Sequence, residues 1–210
     1  MSQDVTLTVE GARVRTRPSA NLGKDYSKPA VLLFHGFSFS LDVWEKVGTL
    51  RILSDHGFPY IAMDLPKGKA SRSDKFGKKN FAEYVPFLKK VLGNFVDLTK
   101  SKVVILGASM GGGFALAFAI ENPGEVSGLV LVAPSLSGIA DEALEELKVP
   151  ALLVWGERDN IFPVEEYGKK LKALLPNSKL LIIKNAKHAA YLDKPHEFHD
   201  LLLDFLEEIS

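Results

Sequence analysis

Short apolar segments alternate with helix-like segments along the chain. The clearest is the continuous apolar run Ala30–Phe34, which is typical of a strand buried on both faces of a sheet. The alternation predicts an α/β fold with a mostly parallel sheet and right-handed crossovers. We predict eight strands, of which the first two form an antiparallel hairpin at one edge: Val5–Val9, Ala12–Thr16, Ala30–Phe34, Phe58–Met63, Lys102–Leu106, Val126–Ala133, Val149–Trp155 and Lys179–Lys184.

The helical segments between these strands carry apolar residues at a spacing of three to four positions. Gly57 stands where a helix C-cap is expected, and Pro195 fits the first position of the last helix. Pro86 disturbs the longest helical pattern and delays its true start. The predicted helices are Asp42–His56, Asn80–Leu98, Met110–Glu121, Ala140–Leu147, Glu165–Leu175 and a last helix from Pro195 onward.

Length and composition exclude several classes of protein. The 210 residues show no shift in composition, so we expect a single domain over residues 1–210. The 26 basic and 26 acidic residues cancel, which argues against a general nucleic-acid binder. The chain has no cysteine, which excludes a cysteine nucleophile, a disulfide framework and a thiolate metal site. This absence fits a reducing cytoplasm, and the apolar stretches fall short of the ~20 residues that span a bilayer. We therefore expect a cytoplasmic location without a membrane segment.

A G-x-S-x-G pattern directly follows the strand Lys102–Leu106. Gly107 and Gly111 flank Ser109, and an apolar helix begins immediately afterwards. A serine on such a strained strand-to-helix turn needs neighbours without bulk, which glycine provides. The helix N-terminus also brings the Met110 N–H beside the serine oxygen. The pattern predicts a nucleophilic serine, and a plain glycine-rich turn is the alternative.

Three other loops follow predicted strands at the same edge of the sheet, where chemistry collects in parallel sheets. After Ala30–Phe34 comes His35-Gly36-Phe37, in which the Phe37 N–H is a candidate oxyanion donor and His35 is structural. After Val149–Trp155 comes Asp159, and after Lys179–Lys184 comes His188. The order Ser, Asp, His predicts that Asp159 orients the imidazole and that His188 exchanges the proton of Ser109.

Other side chains compete with this assignment or extend it. Glu157 and Asp141 are rival acids for the role of Asp159. A loop over residues 64–74 borders the same edge, and its basic side chains allow two readings, a contact for an acidic substrate and a solvated flexible loop. These side chains are Lys67, Lys69 and Arg72.

With these residues in place, the chain resembles the α/β-hydrolase superfamily over its whole length. The matching segments are "LLFHGF", "AMDLP", "VVILGASMGGGFAL" and "PALLVWGERDNIFP". Within the superfamily it is similar to the small, capless type represented by α/β-hydrolase domain-containing protein 14B. The resemblance implies a twisted, mostly parallel eight-stranded sheet with helices on both faces. It also implies Ser109 as nucleophile, His188 as base, Asp159 as orienting acid, and Phe37 and Met110 as backbone oxyanion donors.

The expected activity is that of a serine hydrolase that forms an acyl-enzyme without a metal or organic cofactor. Only residues 134–148 separate two of the strands, a segment too short for a multi-helix cap. We therefore expect an open site for a small-molecule ester with a short acyl group. The alternatives are an acyltransferase or perhydrolase on the same triad and a non-catalytic binding module. The candidate walls of the substrate pocket are Phe37, Phe39, Met110, Leu136 and Phe162.

Overall fold

The computed structural model describes residues 3–23 and 27–210 and contains one eight-stranded sheet. The strand order across the sheet is β1-β2-β4-β3-β5-β6-β7-β8. β1 and β2 pair antiparallel, β2 pairs antiparallel with β4, and all later pairs are parallel. The strands are β1 (Val5–Val9), β2 (Ala12–Pro18), β3 (Ala30–Phe34), β4 (Tyr60–Met63), β5 (Val103–Ala108), β6 (Val126–Val132), β7 (Ala151–Gly156) and β8 (Ser178–Ile183).

Helices pack on both faces of this sheet. They are α1 (Asp42–Lys46), α2 (Thr49–Asp55), α3 (Val85–Leu92), α4 (Met110–Glu121), α5 (Asp141–Glu146), α6 (Lys169–Leu174), α7 (Ala190–Asp193) and α8 (Pro195–Glu208). The predicted α/β fold with eight strands and no cap domain is confirmed. Only α5 lies between β6 and β7, where a cap would be inserted. In the described residues, no helix combines the length and the apolar character needed to cross a bilayer.

The central strands are buried on both faces. In β3, Leu32 and Phe34 belong to one core, and Val31 and Leu33 belong to the other. This alternation is the reason why the strand reads as a continuous apolar run and not as an apolar–polar pattern. The core that contains Leu32 also contains residues of α3 and α4. The core on the opposite face of the sheet contains residues of α1, α2 and α8.

Two predicted helices are shorter or more broken than the sequence pattern indicated. The predicted helix Asp42–His56 is divided into α1 and α2 at Gly48, whose φ of 89° lies in the left-handed region. The predicted helix Asn80–Leu98 begins with a 3₁₀ turn, continues as α3 from Val85 and ends at Leu92. Pro86 occupies the first turn of α3, so it delays the start of the helix as predicted.

Candidate active site

The four loops singled out in the sequence meet at the carboxyl edge of the parallel strands. Ser109 follows β5, Gly36 and Phe37 follow β3, Asp159 follows β7 and His188 follows β8. The strand order places β3, β5, β6, β7 and β8 side by side, so these loops are neighbours in space. The predicted site residues are therefore brought together by the topology of the sheet.

Ser109 lies on a sharp turn between β5 and α4. Its φ of 50° and ψ of −114° are strained for a residue with a side chain. Backbone hydrogen bonds hold it in place, because its N–H donates to the Val132 carbonyl at 2.9 Å and its carbonyl accepts the N–H of Ser135 at 2.9 Å. These hydrogen bonds to β6 and to the segment that follows it hold the strained turn in place.

The two glycines that flank Ser109 have no room for a side chain. A Cβ added to Gly107 would lie 2.5 Å from the Gly111 carbonyl oxygen, and one added to Gly111 would lie 2.1 Å from the Phe34 carbonyl oxygen. Both distances are far below van der Waals contact. The absence of a side chain at these positions allows α4 to begin directly against β3 and β5, which places Ser109 at its N-terminus.

His188 and Asp159 form a hydrogen-bonded pair. The Nδ1 of His188 lies 2.8 Å from Oδ2 of Asp159, and the Asp159 side chain is fully buried. Its Oδ1 accepts the backbone N–H groups of Ile161 at 2.9 Å and Phe162 at 3.0 Å. Burial alone would raise the pKa of Asp159, but the hydrogen bonds from His188, Phe162 and Ile161 outweigh it and lower that pKa. An ionised Asp159 requires the Nδ1–H tautomer of His188, which leaves Nε2 unprotonated in the neutral ring.

The loops that carry Asp159 and His188 approach each other closely. A Cβ on Gly156 would lie 2.1 Å from the Lys187 carbonyl oxygen, so glycine is required at this contact. Glu157, a rival acid in the sequence, instead accepts the backbone N–H of Asn185 at 2.9 Å. The other rival, Asp141, forms an ion pair with Lys170 at 2.8 Å. The structure thus pairs the imidazole with Asp159 and not with either alternative.

The candidate oxyanion donors are two backbone N–H groups near Ser109. The N–H groups of Phe37 and Met110 donate to no acceptor among the residues that the structure describes. Gly36, which precedes Phe37, packs against the elbow, because a Cβ placed on it would lie 3.7 Å from the Ser109 Cβ. Backbone N–H groups without an acceptor among the described residues, one directly after the serine and one on the loop that Gly36 brings against it, are the kind of donor that an oxyanion requires.

His35 stabilises the loop that carries Gly36 and Phe37. It is fully buried, its Nε2 accepts the Leu65 N–H at 2.9 Å, and its Nδ1 lies 2.8 Å from the Gly36 carbonyl oxygen. These two contacts fix a neutral ring with hydrogen on Nδ1. Burial lowers the pKa of His35, which favours the same neutral form. Its placement agrees with the structural role expected from the sequence.

A cavity of about 240 Å³ opens beside Ser109 and His188. An apolar cavity of about 150 Å³ accommodates benzene, so this one has room for a short acyl chain. Two exposed apolar side chains, Phe37 and Ile161, belong to its wall. The residues that line it are Gly36, Phe37, Ser38, Phe39, Ala108, Ser109, Val132, Ile161, His188, Ala189 and Tyr191.

This wall differs from the one expected from the sequence. Phe37 and Phe39 line the cavity, whereas Met110, Leu136 and Phe162 do not. Leu136 packs against the core instead, and the Phe162 ring stands edge-on to the His188 ring with centroids 5.2 Å apart. Phe162 is held there because its carbonyl accepts the Trp155 Nε1–H at 2.7 Å.

Ile161, Ala189 and Tyr191 also line the cavity and were not predicted from the sequence. Ala189 and Tyr191 follow His188 by one and three positions, and this proximity in sequence was the available signal. The short helix α7 that carries Tyr191 was not predicted either. A helix of four residues leaves too little apolar periodicity to detect.

The basic loop has partners of its own. The Lys67 ammonium lies 5.7 Å from the centre of the Phe81 ring, and an Arg72 nitrogen lies 3.5 Å from a carboxylate oxygen of Asp42. The Lys69 N–H donates to the Phe37 carbonyl at 2.6 Å and so ties this loop to the loop His35-Gly36-Phe37. Among the residues described, no three His, Asp or Glu side chains cluster in a way that could hold a metal ion.

Comparison with known proteins points to one family. The model of the α/β-hydrolase fold family matches residues 29–146 and 139–195. ABHD14A of Danio rerio is 33% identical over 181 residues, which are 86% of this chain and 65% of that protein. The chain therefore spans slightly less than two thirds of this relative. Human "Putative protein-lysine deacylase ABHD14B" is 34% identical over 207 residues, which cover 98% of this chain and 95% of that protein.

Solved structures agree with this match. A protein from Thermoplasma acidophilum, described as a "predicted CIB-like hydrolase", is 28% identical and superposes with a TM-score of 0.87 over 99% of both chains. The carboxylesterase CesB of Bacillus subtilis superposes with a TM-score of 0.83 over 98% of this chain and 92% of its own. At 18% identity, the second likeness concerns the fold alone.

Proposed function

The chain belongs to the α/β-hydrolase family, and from this premise we propose that it is a serine hydrolase that cleaves short acyl esters through an acyl-enzyme. The single observation that carries the proposal is the arrangement around one cavity. Ser109 and His188 line this cavity, and His188 is paired with Asp159. The N–H groups of Phe37 and Met110 have no acceptor among the described residues, and Met110 directly follows the serine. These are the parts that acyl transfer requires.

In the first half of the reaction, Ser109 is the nucleophile. Its Oγ attacks the ester carbonyl while Nε2 of His188 takes the hydroxyl proton. The negative charge that develops on the carbonyl oxygen is stabilised by the Phe37 and Met110 N–H groups and by the N-terminal end of α4. Collapse of this intermediate breaks the bond to the alcohol, which leaves with the proton from His188. Asp159 stabilises the imidazolium through the hydrogen bond at Nδ1.

In the second half, water takes the place of the alcohol. His188 removes a proton from the water, and the hydroxide attacks the carbonyl of the acyl-enzyme. The same two N–H groups stabilise the second oxyanion. The bond to Ser109 Oγ then breaks, His188 returns the proton to the serine, and the free acid leaves. Apart from the ester and the water molecule, every group in these steps belongs to the described residues.

The size and access of the cavity support short acyl groups. Its volume of about 240 Å³ holds a few carbon atoms, and only α5 stands between β6 and β7. Within the part of the chain that the structure describes, no cap extends the cavity into a tunnel for a long chain. Phe37 and Ile161 flank it with exposed apolar surface that contacts the larger part of the substrate.

An acyl group carried on a protein lysine is a second candidate substrate. The observation that favours it is the open access without a cap, because a side chain of another protein reaches such a site directly. The name of the human ABHD14B relative also mentions protein-lysine deacylation. The chemistry is the same, with the lysine amine as the leaving group that receives the proton from His188.

A fluorophosphonate probe tests the proposed function directly. The intact protein at neutral pH is expected to become labelled on Ser109, and Ser109→Ala is expected to lose the label. Ser135→Ala is the matched control, because Ser135 adjoins the turn and bonds to Ser109 through its backbone N–H, which the substitution keeps. A folded wild-type protein that remains unlabelled would overturn the proposal.

A further inference from the structure

Ile161 is an exposed apolar residue in the wall of the cavity beside Ser109. It is 58% exposed, the highest value among the large apolar residues that the structure describes. It also lines the cavity together with Ser109 and His188. Its apolar surface is therefore open to water in the free protein, and a molecule bound at the serine can cover it.

The backbone fixes Ile161 on the side of the site that holds the imidazole. Its N–H donates to Oδ1 of Asp159 at 2.9 Å, and Oδ2 of the same carboxylate lies 2.8 Å from Nδ1 of His188. The next residue, Phe162, turns its ring edge-on to the His188 ring. The carboxylate that orients His188 therefore also holds the turn that presents the Ile161 side chain.

The other exposed apolar residue of the cavity wall lies across the site. Phe37 follows β3, and Ile161 follows β7. The strand order places these two strands on opposite sides of β5, which Ser109 follows. The two apolar side chains thus approach the serine from different sides, and each contacts a different part of a bound substrate.

The chemistry of the reaction determines which part of the substrate lies near Ile161. The leaving oxygen or nitrogen receives its proton from Nε2 of His188, so it must lie within hydrogen-bond reach of the imidazole. The carbonyl oxygen instead faces the N–H groups of Phe37 and Met110. The chain attached to the leaving atom therefore continues past the imidazole, on the side where Ile161 exposes its apolar surface.

We propose that Ile161 selects leaving groups that carry an unbranched alkyl segment next to the leaving oxygen or nitrogen. This inference rests on the proposed function, because the leaving group is defined by the attack of Ser109 on the acyl carbon. An alkyl alcohol and the methylene stem of a lysine both provide such a segment. When it packs on Ile161, apolar surface of both partners is removed from water.

The test compares three esters, with kcat/KM measured by titration of the released acid. Ethyl butyrate is the reference, hexyl butyrate has a longer leaving group, and ethyl octanoate has a longer acyl group. The two long esters are isomers, so they differ in the position of the added methylene groups and not in composition. The variants are Ile161→Ser and the matched control Ile182→Ser, because Ile182 is 43% exposed on β8 and does not line the cavity.

We expect the wild type to hydrolyse hexyl butyrate faster than ethyl butyrate. Ile161→Ser is expected to lower this ratio about tenfold, comparable to the burial of about two methylene groups. The ratio of ethyl octanoate to ethyl butyrate is expected to stay within about twofold of the wild-type value, and Ile182→Ser is expected to leave both ratios unchanged. A general change in activity cancels within each ratio.

A second pair of variants keeps the test independent of the serine substitution. Val and Thr have nearly the same shape, so Ile161→Val and Ile161→Thr differ mainly by a methyl group and a hydroxyl group. Ile161→Val is expected to keep the ratio of hexyl to ethyl butyrate within about twofold of the wild type. Ile161→Thr is expected to lower it by at least about threefold.

Three results overturn the assignment to Ile161. They are a wild type that does not prefer hexyl to ethyl butyrate, a preference that Ile161→Ser and Ile161→Thr both retain, and an equal loss for hexyl butyrate and ethyl octanoate. A wild type that is labelled by fluorophosphonate but gives one of these results contradicts only the role of Ile161. A wild type that is neither labelled nor active on any of the three esters contradicts the proposed function as well.

Discussion

His188 and Asp159 are 29 residues apart in the sequence, yet Nδ1 of the first lies 2.8 Å from Oδ2 of the second. The carboxylate also accepts two backbone N–H groups, so its position is fixed independently of the histidine. A fixed acceptor determines which ring nitrogen carries hydrogen and how the ring is turned. The orientation of His188 thus depends on a buried carboxylate that does not line the cavity.

Replacement of Asp159 by asparagine is expected to lower kcat about 10³-fold with little change in KM. The amide keeps the shape of the side chain but loses the charge that stabilises the imidazolium. The measurement is steady-state hydrolysis of a butyrate ester, with circular dichroism as the check on folding.

The rival acids supply the controls for this variant. Glu157→Gln and Asp141→Asn are each expected to stay within about twofold of the wild type, because Glu157 contacts Asn185 and Asp141 pairs with Lys170. If one of these variants lost as much activity as Asp159→Asn, the assignment of the orienting acid would have to change.

The close packing of the turn at Ser109 leads to a prediction about the stability of the folded protein. Gly111→Ala places a methyl group 2.1 Å from the Phe34 carbonyl oxygen, so α4 and β3 must separate. We expect a loss of at least about 3 kcal/mol in the free energy of unfolding, measured by urea denaturation. Gly124→Ala is the control, since its Cβ meets nothing within 4 Å, and a change within about 0.5 kcal/mol is expected. Equal stability of the two variants would show that the contact at Gly111 is not constraining.

A network of ion pairs around two arginines of β2 leads to a prediction about pH. Asp42 accepts hydrogen bonds from Arg15 at 2.6 Å and Arg17 at 3.0 Å, and both arginine side chains are only 9% exposed. The hydrogen bond from Arg15 holds the pKa of Asp42 well below its ordinary value of 3.8. A carboxyl group with a lowered pKa stabilises the folded state above its ordinary pKa, and this stabilisation is lost as the pH falls below about 4.

Asp42→Asn is therefore expected to lose about 2 kcal/mol at pH 7 and progressively less as the pH falls below about 4. Urea denaturation at pH 7 and pH 3 measures both values. Asp55→Asn removes an exposed ion pair with Arg51 and is expected to change stability by less than about 0.5 kcal/mol at either pH. A constant difference between Asp42→Asn and the wild type across this range would contradict the role of the Asp42 charge.

The sheet and the meeting of the four loops were predictable because both depend on local patterns. An apolar run marks each parallel strand, and the carboxyl ends of parallel strands meet at one edge of the sheet. The sequence alone therefore predicts that Ser109, Asp159 and His188 lie close together. The end of α3 at Leu92 was not predictable, because apolar residues such as Phe95 and Val96 continue the spacing beyond it and still pack in the core.

Only part of the cavity wall was predictable from the sequence, and the physical reason differs from the one that applies to α3. The directions of Leu136 and Phe162 depend on the path of irregular loops, which no periodicity reveals. Ile161 lines the cavity because its N–H, with that of Phe162, is bound to the Asp159 carboxylate, and this turn sets the directions of both side chains. Such tertiary contacts are absent from the pattern of the sequence.

The cavity also predicts which acyl chains are accepted. With a volume of about 240 Å³ and no cap, the wild type is expected to hydrolyse a butyrate ester at least tenfold faster, by kcat/KM, than a dodecanoate ester. Phe39 lines this cavity, so Phe39→Ala enlarges it and is expected to move the optimum toward chains of about six to eight carbons, longer than butyrate. Leu136→Ala is the matched control, because Leu136 packs against the core away from the cavity and its truncation lowers stability without moving the optimum. If the preferred acyl-chain length shifted equally in both variants, this cavity would not be the acyl site.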